Sequence, residues 1–168
     1  MAKARAALRG KTTKTRSGAK PAQEVSLRER VKEPPADALV RAYYAPSLEK
    51  ARRYCFDPEM LIHLAHGLML ARQGIVSKAD MRVILKTVLA LRREGPDALG
   101  LDYTQEDLYS YVERYIVRQA GAEVGGRLHT GRSRNDLNCT TWRMALRTQM
   151  LDVMAALAGF RATALTLA

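Results

Sequence analysis

Apolar residues recur at helical spacing from Pro35 onward, and no stretch alternates cleanly as a half-buried strand does. The first helical segment covers 36 to 45, with Leu39, Tyr43 and Tyr44 near one face, and Pro46 is expected to end or kink it. A second opens with Asp57 as N-cap and Pro58 at the first position, runs through Leu61, Leu64, Leu68 and Ala71, and stops at Gly74. Ser77 with Asp80 three residues on opens a third, whose buried face is Met81, Ile84, Leu85, Val88 and Leu91, closed by Gly95-Pro96. Thr104 and Asp107 repeat that opening for a fourth, striped by Leu108, Val112, Tyr115 and Ile116 and ending at Gly121. The pattern predicts an all-α fold.

Leu137 to Ala168 has a different pattern. It holds no proline, and as one helix it would extend roughly 48 Å. Leu137, Met144, Leu151, Ala158 and Leu165 form one seven-residue column; Cys139, Leu146, Val153, Phe160 and Leu167 form another on nearly the opposite side. A helix apolar on opposing sides is built to be surrounded. The preceding helices are too short to enclose it, so its neighbours are expected to come from other chains or from a further portion of the protein.

Between these regions lies GGRLHTGRSRND, Gly125 to Asp136. Arg127, Arg132 and Arg134 supply forked cationic donors suited to carboxylate or phosphate. Gly125, Gly126 and Gly131 allow close backbone approach, and the start of a helix favours an anion. A solvated basic turn capped by Asp136 is the competing reading.

The string His129-Thr-Gly-Arg-Ser-Arg-Asn-Asp136 resembles the first signature segment of the argininosuccinate lyases, a branch of the fumarase and aspartase superfamily. Weaker likeness extends to Glu106-Asp107-Leu108 with Val112-Glu113-Arg114, and to Ala65-His66 with Met69-Leu70, so that it spans roughly 39 to 168. It implies a small N-terminal helical domain followed by the first long helix of a central bundle, with 34 to 136 as the domain and 137 to 168 as the start of that helix. The activity implied is β-elimination of argininosuccinate to arginine and fumarate, in arginine biosynthesis, by a cytoplasmic homotetramer that needs no cofactor.

By the same resemblance Ser133, Arg134 and Asn135 contact the substrate, and His129 and Thr130 shape the loop. Ser47, in Ala45-Pro46-Ser47-Leu48, reads first as a helix-capping or loop serine; the resemblance offers it, across an inserted proline, as the counterpart of a substrate-touching serine in an early family segment. His129 has the alternative of bonding a backbone carbonyl, and Thr130 and Ser133 that of bracing the turn. One departure stands out: the family has histidine after Glu-Asp-Ile, and here Tyr109 follows Glu106-Asp107-Leu108, which implies an altered pocket. The family's second and third segments, including the loop with the catalytic serine, have no counterpart in this chain. No catalytic residue is therefore assigned, and the chain alone is expected to be inactive. The alternative is a non-catalytic helical module, or a decayed copy, that associates with full-length lyase subunits.

Composition narrows the field further. The 168 residues, 47% of them hydrophobic, suffice for one compact domain plus a tail. The net charge of +11 sits largely in the first 23 residues, which carry +7 and no acid and leave +4 for the rest. This predicts a disordered basic tail over 1 to 33, open to readings as an inert solubilising tail, a weak polyanion binder or a transit-like segment; nucleic acid is not the expected partner. No run of about eighteen apolar residues occurs, so no membrane span is expected. Cys55 and Cys139 read as buried free thiols of a reducing compartment. His63 and His66, three apart on an apolar helix, read as packed or surface histidines, and no metal site is expected.

Overall fold

A computed structural model describes residues 34 to 168, and the expected basic tail lies outside the described residues. Among these the chain is helical without strands, an all-α fold. Helix α1 (Asp37–Leu39) runs through a π-helical turn (Val40–Tyr44) directly into α2 (Ala45–Tyr54). Pro46 therefore neither ends the segment nor breaks it. The wide turn ahead of it, closed by the Ala45 amide on the Val40 carbonyl, accommodates a residue that has no N–H to donate.

Helix α3 (Phe56–Arg72) starts after Cys55, without a side-chain cap. Asp57 is not the N-cap but lies in the first turn, where it accepts from Arg92 Nε at 3.0 Å. Gly74 ends this region at φ +69, a left-handed turn that favours glycine. Helix α4 (Lys78–Glu94) is capped by the Ser77 hydroxyl, which accepts from the Asp80 amide at 3.1 Å. It packs along α3, and the close approach is at Gly67, where a Cβ would sit 2.7 Å from Met81 Sδ and 2.8 Å from Leu85 Cδ2. A 3-10 turn (Pro96–Leu99) leads to α5 (Leu108–Ala120), whose N-cap is Asp107, accepting from the Ser110 amide at 2.9 Å. Thr104 does not cap it. Its hydroxyl donates to Asp102 instead.

The core sits between α3, α4 and α5, built from Met60, Leu70, Met81, Ile84, Val88, Leu91, Val112 and Ile116, with Leu48 closing it from α2. A short α6 (Ala122–Gly125) and a 3-10 turn (Gly126–His129) bring the chain to α7 (Arg134–Leu167). This long helix begins three residues earlier than the hydrophobic pattern indicates. Ser133 is its N-cap and Asp136 its N3 residue, joined in a reciprocal capping box.

Only Leu137, Thr141 and Ala145 of α7 are buried in the domain, and every residue from Leu146 to Ala168 is exposed. Its outer part is apolar enough, by length and composition, to cross a membrane, with a mean hydropathy of 1.4 over eighteen residues and none of that window buried. The expectation that no such stretch exists is thus corrected. Of the two thiols, Cys55 is buried and Cys139 is exposed, contrary to the reading of both as buried.

Candidate functional site

Gly125 to Ser133 form a folded strap across the ends of α3 and α5. Each polar residue in it has a partner that explains its place. Arg127, read as an oxyanion donor, is occupied by Asp80 and by Glu123, the latter at 2.8 Å, and so pins the strap to α4. The Thr130 hydroxyl donates to the Arg127 carbonyl at 2.8 Å and braces the turn. His66 from α3 sits 3.0 Å from the Thr130 carbonyl, which forces its Nε2 to be the donor. Gly131 takes φ +70, so the reversal into α7 depends on glycine there.

Arg132 turns inward. Its Nη2 lies 3.0 Å from His63 Nδ1 and 3.4 Å from His129 Nδ1, while Nε and Nη1 are enclosed without a partner among the described residues. Beneath it His63 Nε2 reaches Glu59 Oε1 at 3.4 Å, and both side chains are almost fully buried. Burial, reinforced by the nearby Asp107 charge and opposed by Arg132, pushes the Glu59 carboxyl up to about 8. Burial first, then Arg132 and His66, pushes His63 down to about 3. The pair is therefore uncharged on both sides at neutral pH and is not an ion pair.

A stability optimum follows. Between pH 4.5 and 8 the unfolded chain has released the Glu59 proton that the folded chain keeps, so stability falls as pH rises. His63 acts in the other direction, and so does His129, which is lowered to about 4 chiefly by burial: below 6.5 the unfolded chain binds protons that the folded one refuses. The melting temperature is expected to peak near pH 6.5 and decline toward pH 8. Glu59→Gln should flatten the alkaline decline, and an unchanged decline in that variant would show Glu59 ionised at neutral pH.

Above this layer lies the surface that the sequence singled out. Ser133 is exposed, but its hydroxyl is engaged with Asp136 Oδ2 at 2.9 Å while accepting the Asp136 amide at 3.2 Å. Its capping role is thus certain in the structure, and a ligand would have to share the oxygen. Arg134 is half-buried, 3.4 Å from Asp107 Oδ2, with its guanidinium 5.6 Å above the Tyr109 ring. Asn135 is exposed at the second position of α7 and has no hydrogen-bond partner among the described residues. Because Ser133 takes the Asp136 amide, the amides of Arg134 and Asn135 are left for an anion at this helix start.

Ser47 lies across from α7. It lines a cavity of about 240 Å³ between α2, the start of α5 and α7, together with Glu59, Asp107, Asn138 and Thr141. The Thr141 hydroxyl is buried in it without a partner among the described residues. Asp107 links this cavity to Arg134, which ties Ser47 to the loop in one region. Tyr109 is not part of the cavity lining. It is buried under the strap, donates to Glu113 Oε1 at 2.8 Å and stacks 4.6 Å from the His129 ring, so the departure from the family histidine acts on the loop from below.

Glu59, His63, Arg132 and Asp107 are the functional-site neighbours that pattern reading missed as a group. A signal for two of them was present: Glu59, His63 and His66 stand at i, i+4 and i+7, polar positions on one face of an otherwise apolar helix. Among the described residues no group of three or more His, Cys, Asp or Glu is placed to hold a metal.

No family model matches the chain. Among curated proteins it is 35% identical over 139 residues to argininosuccinate lyase 1 of Shouchella clausii, covering 83% of this chain and 28% of that protein. It is 37% identical over 141 residues to argininosuccinate lyase of Methanosarcina acetivorans, covering 84% and 28%, and 36% identical over 102 residues to that of Methanocaldococcus jannaschii, covering 61% and 21%. The chain spans about a quarter of the length of these relatives, and what it matches is an N-terminal portion of the lyase.

Proposed function

We propose that this chain supplies the substrate-gripping N-terminal segment of an argininosuccinate lyase, a carbon–nitrogen lyase of arginine biosynthesis. The observation that carries the reading is the start of α7, where Asn135 is exposed beside the open amides and Arg134 is tied through Asp107 to the Ser47 cavity. In the reaction a base removes the proton next to a carboxylate, the electron pair spreads onto that carboxylate, and the carbon–nitrogen bond breaks to release arginine and leave fumarate. Charge accumulates on carboxylate oxygens in the transition state, and preorganised donors stabilise it there. Ser133, Arg134 and Asn135 are suited to that task, His129 and Thr130 to shaping the loop, and Ser47 to meeting the other end of the substrate.

The base and the catalytic serine come, in this reading, from segments outside this chain, supplied by a cytoplasmic homotetramer. Isolated chain given argininosuccinate is then expected to release no fumarate above background. The decisive test is a chimera in which residues 34 to 168 replace the matched portion of the Methanosarcina acetivorans lyase. It should assemble and turn over, and Asn135→Ala should lower kcat by roughly 100-fold, as loss of an oxyanion donor does. A folded chimera without turnover would overturn the proposal.

A second reading has its own observation, the bare outer part of α7. The chain would then be a helical module that joins full-length lyase subunits without catalysis. Co-purification with an active lyase, coupled to an inactive chimera, distinguishes it.

A further inference from the structure

We propose that Arg132 is a positioning residue that holds His63 and His129 as their Nε2–H tautomers, so that the loop offers His129 as a neutral hydrogen-bond donor and withholds its lone pair from proton abstraction. The argument needs only the direction of the bonds. A guanidinium donates and never accepts. Each imidazole nitrogen facing Arg132 Nη2 is Nδ1, at 3.0 Å for His63 and 3.4 Å for His129, and must therefore be the bare, accepting nitrogen. In a neutral ring the proton then sits on Nε2.

For His63 this proton points at Glu59 Oε1, so donation runs one way, from Arg132 through His63 to Glu59. The reverse order, with a protonated Glu59 donating to Nε2, would set an N–H on Nδ1 against the guanidinium and is excluded. For His129 the Nε2–H has no hydrogen-bond partner among the described residues and is not enclosed, so it is free to meet an acceptor. A second observation argues against a role in the fold alone. Two guanidinium nitrogens of Arg132, Nε and Nη1, are buried without acceptors among the described residues, a cost of about 1–3 kcal/mol for each such group. A residue kept only as a staple would be expected to meet a carboxylate there, as Arg127 does with Asp80 and Glu123.

The charged and titratable groups around the pair are consistent with neutral rings. Helix α3 contributes Glu59, His63 and His66, α5 contributes Asp107, Tyr109 and Glu113, and α7 contributes Arg134 and Asp136. Against the two rings themselves stand Arg132, the aromatic face of Tyr109 and, for His63, the buried Glu59. That the acceptor met by His129 is a substrate carboxylate rests on the function proposed above; the tautomers do not.

Nitrogen NMR of the isotope-labelled 168-residue chain reads the tautomers directly. Both rings are expected as Nε2–H in the wild-type chain, with no titration of His129 near pH 6.5. Observation of either ring as Nδ1–H, or of His129 titrating at that pH, overturns the proposal whether or not any variant folds. Arg132→Gln should admit the Nδ1–H form at His129 and raise its midpoint. If Arg132→Gln does not fold, Arg132→Lys, with one compact ammonium for two acceptors, should release one of the two rings. A folded variant with both tautomers unchanged would also overturn it.

Discussion

Gly125→Ala is expected to cost on the order of 3 kcal/mol, the upper range for overpacking, and to lower the melting temperature by about 10 °C. A Cβ at this position would stand 2.8 Å from Val117 Cα, 3.1 Å from Val117 N and 3.2 Å from the Ile116 carbonyl oxygen. All three are backbone atoms of α5, so no side chain can move aside and α6 must withdraw as a unit. The strap that follows would be displaced from His66 and Asp80, its anchors on α3 and α4. Gly126 is the control. It has an ordinary φ of −63 and open space around its added Cβ, so Gly126→Ala should be neutral or gain about 0.4–1 kcal/mol. Equal melting temperatures for the two variants would show that the α5–α6 approach is not as close as described.

The second large effect concerns assembly. The full chain is expected to elute as an oligomer in light-scattering chromatography without detergent, and a chain ending at Arg147 to elute as a monomer. Val153, Phe160 and Leu167 are 67%, 72% and 83% exposed, and burying one such large side chain is worth about 1.5–3 kcal/mol. Leu151 and Phe160 lie on opposite sides of the helix, so Leu151→Glu combined with Phe160→Glu should also release monomer. A monodisperse monomer of the full chain would refute the idea that this helix requires neighbours.

The helices themselves were legible because their signals are local. Ser77, Gly74 and the stripe from Met81 to Leu91 act through a few residues of their own segment, and each is where the pattern placed it. The boundaries that shifted did so where the backbone or a neighbouring polar group offered a better arrangement than the cap read from the pattern. Asp57 is not a cap because Cys55 keeps a helical backbone and α3 begins at Phe56, one residue ahead of it; its carboxylate meets Arg92, 35 residues away. At α7 the cap is Ser133 and not Asp136, which serves as its N3 partner, because the reciprocal bonds of a capping box satisfy more groups than Asp136 alone could.

The loop was legible as chemistry, but its interior was not. Three arginines in twelve residues look alike in sequence. Only the fold sends Arg127 to Asp80, Arg132 beneath the strap and Arg134 to the surface beside Asp107. The Ser47 cavity was invisible for a related reason: its walls come from α2, α3, α5 and α7, and nothing in the local spacing of those segments announces a shared void.

The capping box also has a mechanical consequence. Ser133 belongs to the loop and to the first turn of a rod of about 50 Å, so the peptide groups that face the candidate site are rigidly joined to whatever grips the far end. Against any torque applied there, the domain opposes the buried patch at Leu137, Thr141 and Ala145 and the contact of Arg134 with Asp107. The rod is thus a lever with a short fulcrum, and a partner that held its exposed part would also set the angle at which the loop meets a ligand.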